Sequence, residues 1–129
     1  RETILLVEDE TPVRNLIRRQ LERAGYQVYE ASSGLAALNV WKAHRDQIDL
    51  LVTDVIMPGG LNGRELAERL LPEKPALKVI FCSGYTEDML GTGWFLRDSI
   101  NFLEKPFDQK LFLRRVRESL DETGPAPQE

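Results

Sequence analysis

Apolar residues recur along this chain in two alternating rhythms. Five short runs are rich in aliphatic, β-branched and aromatic residues: Thr3-Ile4-Leu5-Leu6-Val7, Tyr26-Gln27-Val28-Tyr29, Leu50-Leu51-Val52-Thr53, Leu77-Lys78-Val79-Ile80-Phe81-Cys82 and Ser99-Ile100-Asn101-Phe102-Leu103. Each has the length and composition of a strand. Between them, apolar positions fall at helical spacing. Thr11 is placed to cap a helix with Pro12 at its first position, and Val13, Leu16, Ile17, Leu21 and Ala24 then form one stripe ending at Gly25. A second helix is predicted from Ser33 to Ala43 through Leu35, Ala36, Leu38 and Val40. A third runs from Arg64 to Leu71 through Leu66, Leu70 and Leu71, and Pro72 stops it. Thr86 to Leu90 can start a fourth, which Gly91 and Gly93 weaken, so that Trp94, Phe95 and Leu96 receive no element. The last spans Asp108 to Leu120, with Leu111, Phe112, Val116 and Leu120 beside Arg115.

Strands alternating with helices predict an α/β fold: a doubly wound, five-stranded parallel sheet with right-handed crossovers and helices on both faces. The first and third runs are the most uniformly apolar and are expected at its centre. A length of 129 residues, 42% hydrophobic and 29% charged, fits one globular core. The domain is expected over residues 1–121, followed by a flexible tail, 122–129, in which Gly124-Pro125-Ala126-Pro127-Gln128-Glu129 has little to bury. The chain opens at Arg1 without an initiator Met, which predicts a domain cut from a longer protein. Seventeen basic against 21 acidic residues leave a net charge of −4. This argues against direct binding of nucleic acid, which needs concentrated Lys and Arg to neutralise phosphates. The single Cys82 allows no internal disulfide, and there is no signal peptide or apolar run of bilayer length. A cytoplasmic domain without membrane contact is expected.

In sheets of this kind, ligands bind beyond the carboxyl ends of the strands. Those ends carry Glu8-Asp9-Glu10, then Asp54, Ser83 and Lys105-Pro106. Carboxylates gathered from two strand ends repel one another, and a hard divalent cation with oxygen ligands relieves that repulsion. Mg²⁺ suits the set because it accepts few protein carboxylates and tolerates phosphate oxygens. A carboxylate at Asp54 could then attack phosphorus and form an aspartyl phosphate, with Lys105 and the cation absorbing charge on the phosphoryl oxygens and Ser83 supplying a hydroxyl. The plainer alternatives are a solvated acidic loop favoured by a helix N-terminus, a turn at Asp54, a turn at Ser83-Gly84 and a surface Lys105. We adopt the plain reading for Glu10 alone. The coincidence of the others at successive strand ends favours a site. His44 lies in no motif of a phosphodonor and is expected to be an exposed bystander, Cys82 is expected to be a small buried side chain, and Trp41 and Trp94 to pack.

This constellation resembles a response-regulator receiver domain of two-component signalling, from about Thr3 to Leu120. Asp54-Val55-Ile56-Met57-Pro58 and Lys105-Pro106-Phe107 match it closely in sequence. The resemblance implies the flavodoxin-like strand order 2-1-3-4-5. It implies that Asp9 ligates Mg²⁺ directly and Glu8 through water, with Asp54 and the backbone carbonyl of Ile56 as the remaining protein ligands. Asp54 is then the phosphoacceptor, Ser83 and Lys105 contact the phosphoryl group, and Ser83 and Phe102 form the switch. The implied partner is a histidine kinase or phosphotransfer domain, and the output is a change in the face made by the fourth helix, fifth strand and last helix. The domain would not be a conventional enzyme, because it modifies itself. The segment Pro58-Gly59-Gly60-Leu61-Asn62-Gly63 carries one residue more than is usual, as in receivers of hybrid histidine kinases. Ile56 and Tyr85 are bulky where some relatives carry polar groups that position a hydrolytic water. Self-dephosphorylation is therefore expected to be slow relative to an Ile56→Asn variant. The rival readings are a non-phosphorylated pseudo-receiver acting as an interaction module, and a small-ligand binder. The latter lacks a Gly-rich phosphate loop after the first strand.

Overall fold

A computed structural model describes residues 2–55, 61–83, 100–104 and 108–121, with the backbone alone for residues 83 and 100–104. The elements are β1 (Thr3–Val7), α1 (Thr11–Arg23), β2 (Gln27–Ala31), α2 (Gly34–His44), β3 (Ile48–Asp54), α3 (Gly63–Leu70), β4 (Lys78–Ser83), β5 (Ile100–Glu104) and α4 (Gln109–Asp121). All strand pairs are parallel, in the order β2-β1-β3-β4-β5. This is the expected doubly wound fold, with β1 and β3 inside the sheet. The fourth predicted helix and the tail from residue 122 lie outside the described residues.

The strand runs are continuously apolar because both faces of the sheet are covered. Along β1, Leu5 and Val7 join one core with Leu51, Val79, Phe81, Ala37, Trp41, Leu66 and Leu70. Ile4 and Leu6 point the other way and join Leu50, Val52, Ile80, Cys82, Ile17, Leu21, Phe112 and Val116. Helices α2 and α3 therefore cover one face, and α1 and α4 the other. Cys82 is buried, as its place in an apolar strand implied.

The helices correct several expectations. Helix α1 begins at Thr11 itself, with Glu10 as the N-cap residue and no side-chain cap. Pro12 falls in the first turn, where its missing N–H has no partner to lose, and the Thr11 hydroxyl instead accepts from Arg14 Nη2 at 3.4 Å. Ile17 and Leu21 are its buried residues, whereas Leu16 is 57% exposed and Ala24 is exposed. The helix ends in a Schellman motif: Gly25, at φ 99°, donates to Glu22 O and Tyr26 to Leu21 O, and the Tyr26 and Leu21 side chains share a core. Helix α2 is capped by the Ser33 hydroxyl, which accepts from Ala36 N at 3.1 Å. It buries Gly34, Ala37 and Trp41, while Leu35 is 58% exposed. Trp41 is core, as expected, and also donates its indole N–H to Glu73 at 2.8 Å. His44 stacks on Tyr29 with centroids 4.0 Å apart, so it is a half-buried packing residue. In α4, Asp108 Oδ1 accepts from Leu111 N at 2.7 Å and caps the first turn.

Candidate functional site

The β1–β3 register, Val7 opposite Thr53, brings Glu8 level with Asp54 at the carboxyl ends of two neighbouring strands. Asp9 follows at once. Glu8, Asp9 and Asp54 each present a carboxylate oxygen, and these atoms lie within 4.8 Å of one another. Glu8 is only 2% exposed, whereas Asp9 and Asp54 are partly open to solvent. Three acidic groups this close, one of them out of water, are costly together unless positive charge compensates them. The donor set consists of hard oxygens, with open sides on two of its members. It fits a small divalent cation that keeps several waters, and it does not resemble a closed structural site.

The backbone around these residues is firmly held. Glu8 N donates to Ala31 O at 3.1 Å, tying the start of the loop to the end of β2. Glu8 Oε2 accepts from Glu10 N at 3.2 Å, and the Glu8 carbonyl accepts from Arg14 Nη1 at 2.8 Å. On the Asp54 side, Val55 O accepts from Gly63 N at 2.7 Å, so α3 starts directly against the end of β3. Asn62 and Glu65 form a reciprocal capping box that fixes this start: Asn62 Oδ1 accepts from Glu65 N at 2.8 Å, and Glu65 Oε1 from Asn62 N at 3.0 Å.

Other expected site residues are placed only in part. Ser83 is the last residue of β4, one position beyond Cys82, which pairs with Asp54 in the register of β3 and β4. Phe102 lies in β5 opposite Phe81. Ile56 and Lys105, like Tyr85, lie outside the described residues. Arg14, Gly63, Asn62 and Glu65 were not singled out from the sequence as site residues. Asn62-x-x-Glu65 is a readable capping signature, and Arg14 is a cation in the first turn of a helix, where the backbone dipole favours acids.

Comparison with known proteins decides the family. The response regulator receiver domain matches residues 4–117. The chain belongs to the response regulator receiver domains. Over 119 residues this receiver is 40% identical to the sensor kinase CckA of Brucella abortus, covering 92% of the chain but only 12% of that protein's length. The crystal structure of the receiver domain of hybrid histidine kinase CckA superposes with a TM-score of 0.77 at 38% identity, over 92% of this chain and 99% of that one. The response regulator receiver protein CpdR of Brucella abortus is 31% identical, over 91% of this chain and 95% of its own length. Response regulator TrrA of Thermotoga maritima, solved in complex with Mg²⁺-BeF, gives a TM-score of 0.80 at 26% identity, over 92% of this chain and 99% of that one. The domain is thus a two-component receiver close to that of CckA. No helix among the described residues is long and apolar enough to cross a membrane.

Proposed function

We propose that this receiver accepts a phosphoryl group on Asp54 from a phosphohistidine, with Mg²⁺ held by Glu8, Asp9 and Asp54. The observation that carries the reading is the convergence of these three carboxylates at the ends of β1 and β3. TrrA, a receiver of similar fold, was solved with Mg²⁺-BeF, which supports the choice of cation. When bound, Mg²⁺ offsets negative charge on the carboxylates and on the phosphoryl oxygens. Asp54 is the nucleophile: as a bond forms from one of its oxygens to phosphorus, the bond from phosphorus to the donor's imidazole nitrogen breaks. As the family resemblance implies, Asp9, Glu8 through water, and the Ile56 carbonyl would hold the cation beside Asp54. Lys105 supplies a second positive charge and Ser83 a hydroxyl to the transferred group.

Phosphorylation adds charge and strong acceptor oxygens at the rim of the sheet, which would draw Ser83 and repack Phe102 against its neighbours. The domain promotes only its own modification and hydrolysis. Its donor is a histidine kinase or phosphotransfer domain. The 40% identity to a segment of CckA favours a hybrid kinase as the parent chain, in a cytoplasmic portion of it.

The test is intact mass after incubation with a small phosphodonor such as acetyl phosphate, with and without Mg²⁺. The unmodified protein should gain one phosphoryl group only with Mg²⁺, and Asp54→Ala none. Failure to gain mass while a control receiver is modified would overturn the proposal in favour of a non-phosphorylated interaction module.

A further inference from the structure

Arg14 is in the first turn of α1, yet its side chain is only 15% exposed. Its guanidinium donates to three acceptors: the Glu8 carbonyl at 2.8 Å, Glu30 Oε1 at 3.2 Å and the Thr11 hydroxyl at 3.4 Å. Its backbone N–H donates to the Glu10 carbonyl at 2.8 Å. One residue therefore holds the carbonyls on both sides of Asp9. Glu30, next to last in β2, keeps the guanidinium in place, and its other oxygen lies at ion-pair distance, 3.3 Å, from Arg18 Nε. Glu8 N is bonded to the neighbouring Ala31. The segment 8–10 is thus tied to α1 and to β2 together.

We infer that Arg14, oriented by Glu30, is a positioning residue that holds Glu8 and Asp9 in register with Asp54 for a divalent cation. The inference rests on the reading of those carboxylates as the Mg²⁺ site. Like charges this close favour displacement of the 8–10 loop from Asp54. The bond to the Glu8 carbonyl resists that displacement, so the cost of gathering the acids is met on folding and not on binding. The effect is geometric as well as electrostatic. Lysine would keep the charge, but one ammonium on a flexible stem cannot reproduce the planar fork that reaches Glu8, Thr11 and Glu30 together.

The experiment is calorimetric titration of Mg²⁺ into the intact protein and its Arg14→Met, Arg14→Lys and Glu30→Gln variants, with thermal unfolding of each in the absence of metal. Arg14→Met should weaken Mg²⁺ binding about tenfold, as loss of an outer partner of a ligand typically does. Glu30→Gln should weaken it by about threefold, because its amide oxygen holds the guanidinium less strongly than a carboxylate. Arg14→Lys should fall between the unmodified protein and Arg14→Met. Undiminished affinity in both Arg14→Met and Glu30→Gln would overturn the inference, even with lowered melting temperatures, since that is the signature of a role in stability alone. Should Arg14→Met fail to fold, Glu30→Gln decides by itself. An unmodified protein that binds no Mg²⁺ would overturn the site reading as well, which separates the two failures.

Discussion

A carbon in place of one Gly63 hydrogen would collide with the carbonyl oxygen of Asp54 and lie 2.9 Å from its carbonyl carbon. Both obstacles are backbone, so no side-chain rotation relieves the contact. Gly63 is therefore required by proximity to the Asp54 backbone, and its N–H bond to Val55 O is possible only because the chains approach so closely. Gly63→Ala must push α3 away from β3 or move Asp54. We expect a loss of about 3 kcal/mol in denaturant unfolding, together with weaker Mg²⁺ binding. A variant as stable as the unmodified protein would show that the approach is looser than these distances state. Arg14 belongs to the same class, because it too acts on backbone, the Glu8 carbonyl, beside the carboxylate cluster. Neither was readable from the sequence as part of a site. A backbone carbonyl has no letter of its own, so a residue that works through one leaves no pattern of acids and bases to find.

The elements carry their own signals, and these differ in how well they survive tertiary packing. Strand runs were clear because burial on both faces demands continuous apolar residues, and β1 and β3 lie where their composition put them. Helix faces were less clear. In α2, Leu35, Ala36, Leu38 and Val40 surround much of the helix, and only contact with the sheet selects Gly34, Ala37 and Trp41 as the innermost line. The acidic half of the candidate site was legible for a topological reason. Parallel strands present their carboxyl ends on one edge, so acids after β1 and β3 had to meet.

Helix ends permit a direct comparison at this scale. Gly25 has φ 99° and open space around the position of a Cβ, so Gly25→Ala should cost only the backbone penalty, about 1 kcal/mol, and leave Mg²⁺ affinity unchanged. Asn62→Ala removes the capping box of α3 at a similar cost, about 1 kcal/mol, but does so beside Val55 and should lower Mg²⁺ affinity too. Thermal unfolding and Mg²⁺ titration of both variants separate the two effects. Equal affinity in both would mean that the start of α3 does not help hold the end of β3.

Over the whole molecule, the candidate site occupies the carboxyl edge of the sheet, and an ion cluster closes the opposite edge. Arg117 of α4 meets Glu2, which precedes β1, at 2.8 Å, and Asp121 at 2.8 Å. It also donates to the Tyr26 hydroxyl at 3.3 Å, with its guanidinium carbon 5.8 Å from the ring centroid. Glu2 accepts Gln27 N through its own carbonyl, so the cluster joins the beginnings of β1 and β2 to the last helix. The hydrogen bond from Arg117 holds the Glu2 carboxyl below its ordinary value of 4.5, against a smaller opposing effect of desolvation. A carboxyl lowered on folding adds stability above its unfolded pKa, and that contribution disappears as pH falls through the folded value. Glu2 and Arg117 are both more than one-third exposed, so solvent screens the pair and the contribution is small. Arg117→Met should lose about 1 kcal/mol at pH 7. The difference from the unmodified protein should shrink below about pH 4 and again in 1 M salt, where screening reaches about 3 Å. Mg²⁺ affinity should not change, because the cluster lies across the full length of β1 from Glu8 and Asp9. A stability difference that is the same at pH 7 and pH 3 would assign the role of Arg117 to its packing on Tyr26, and the ion pairs would then contribute nothing measurable.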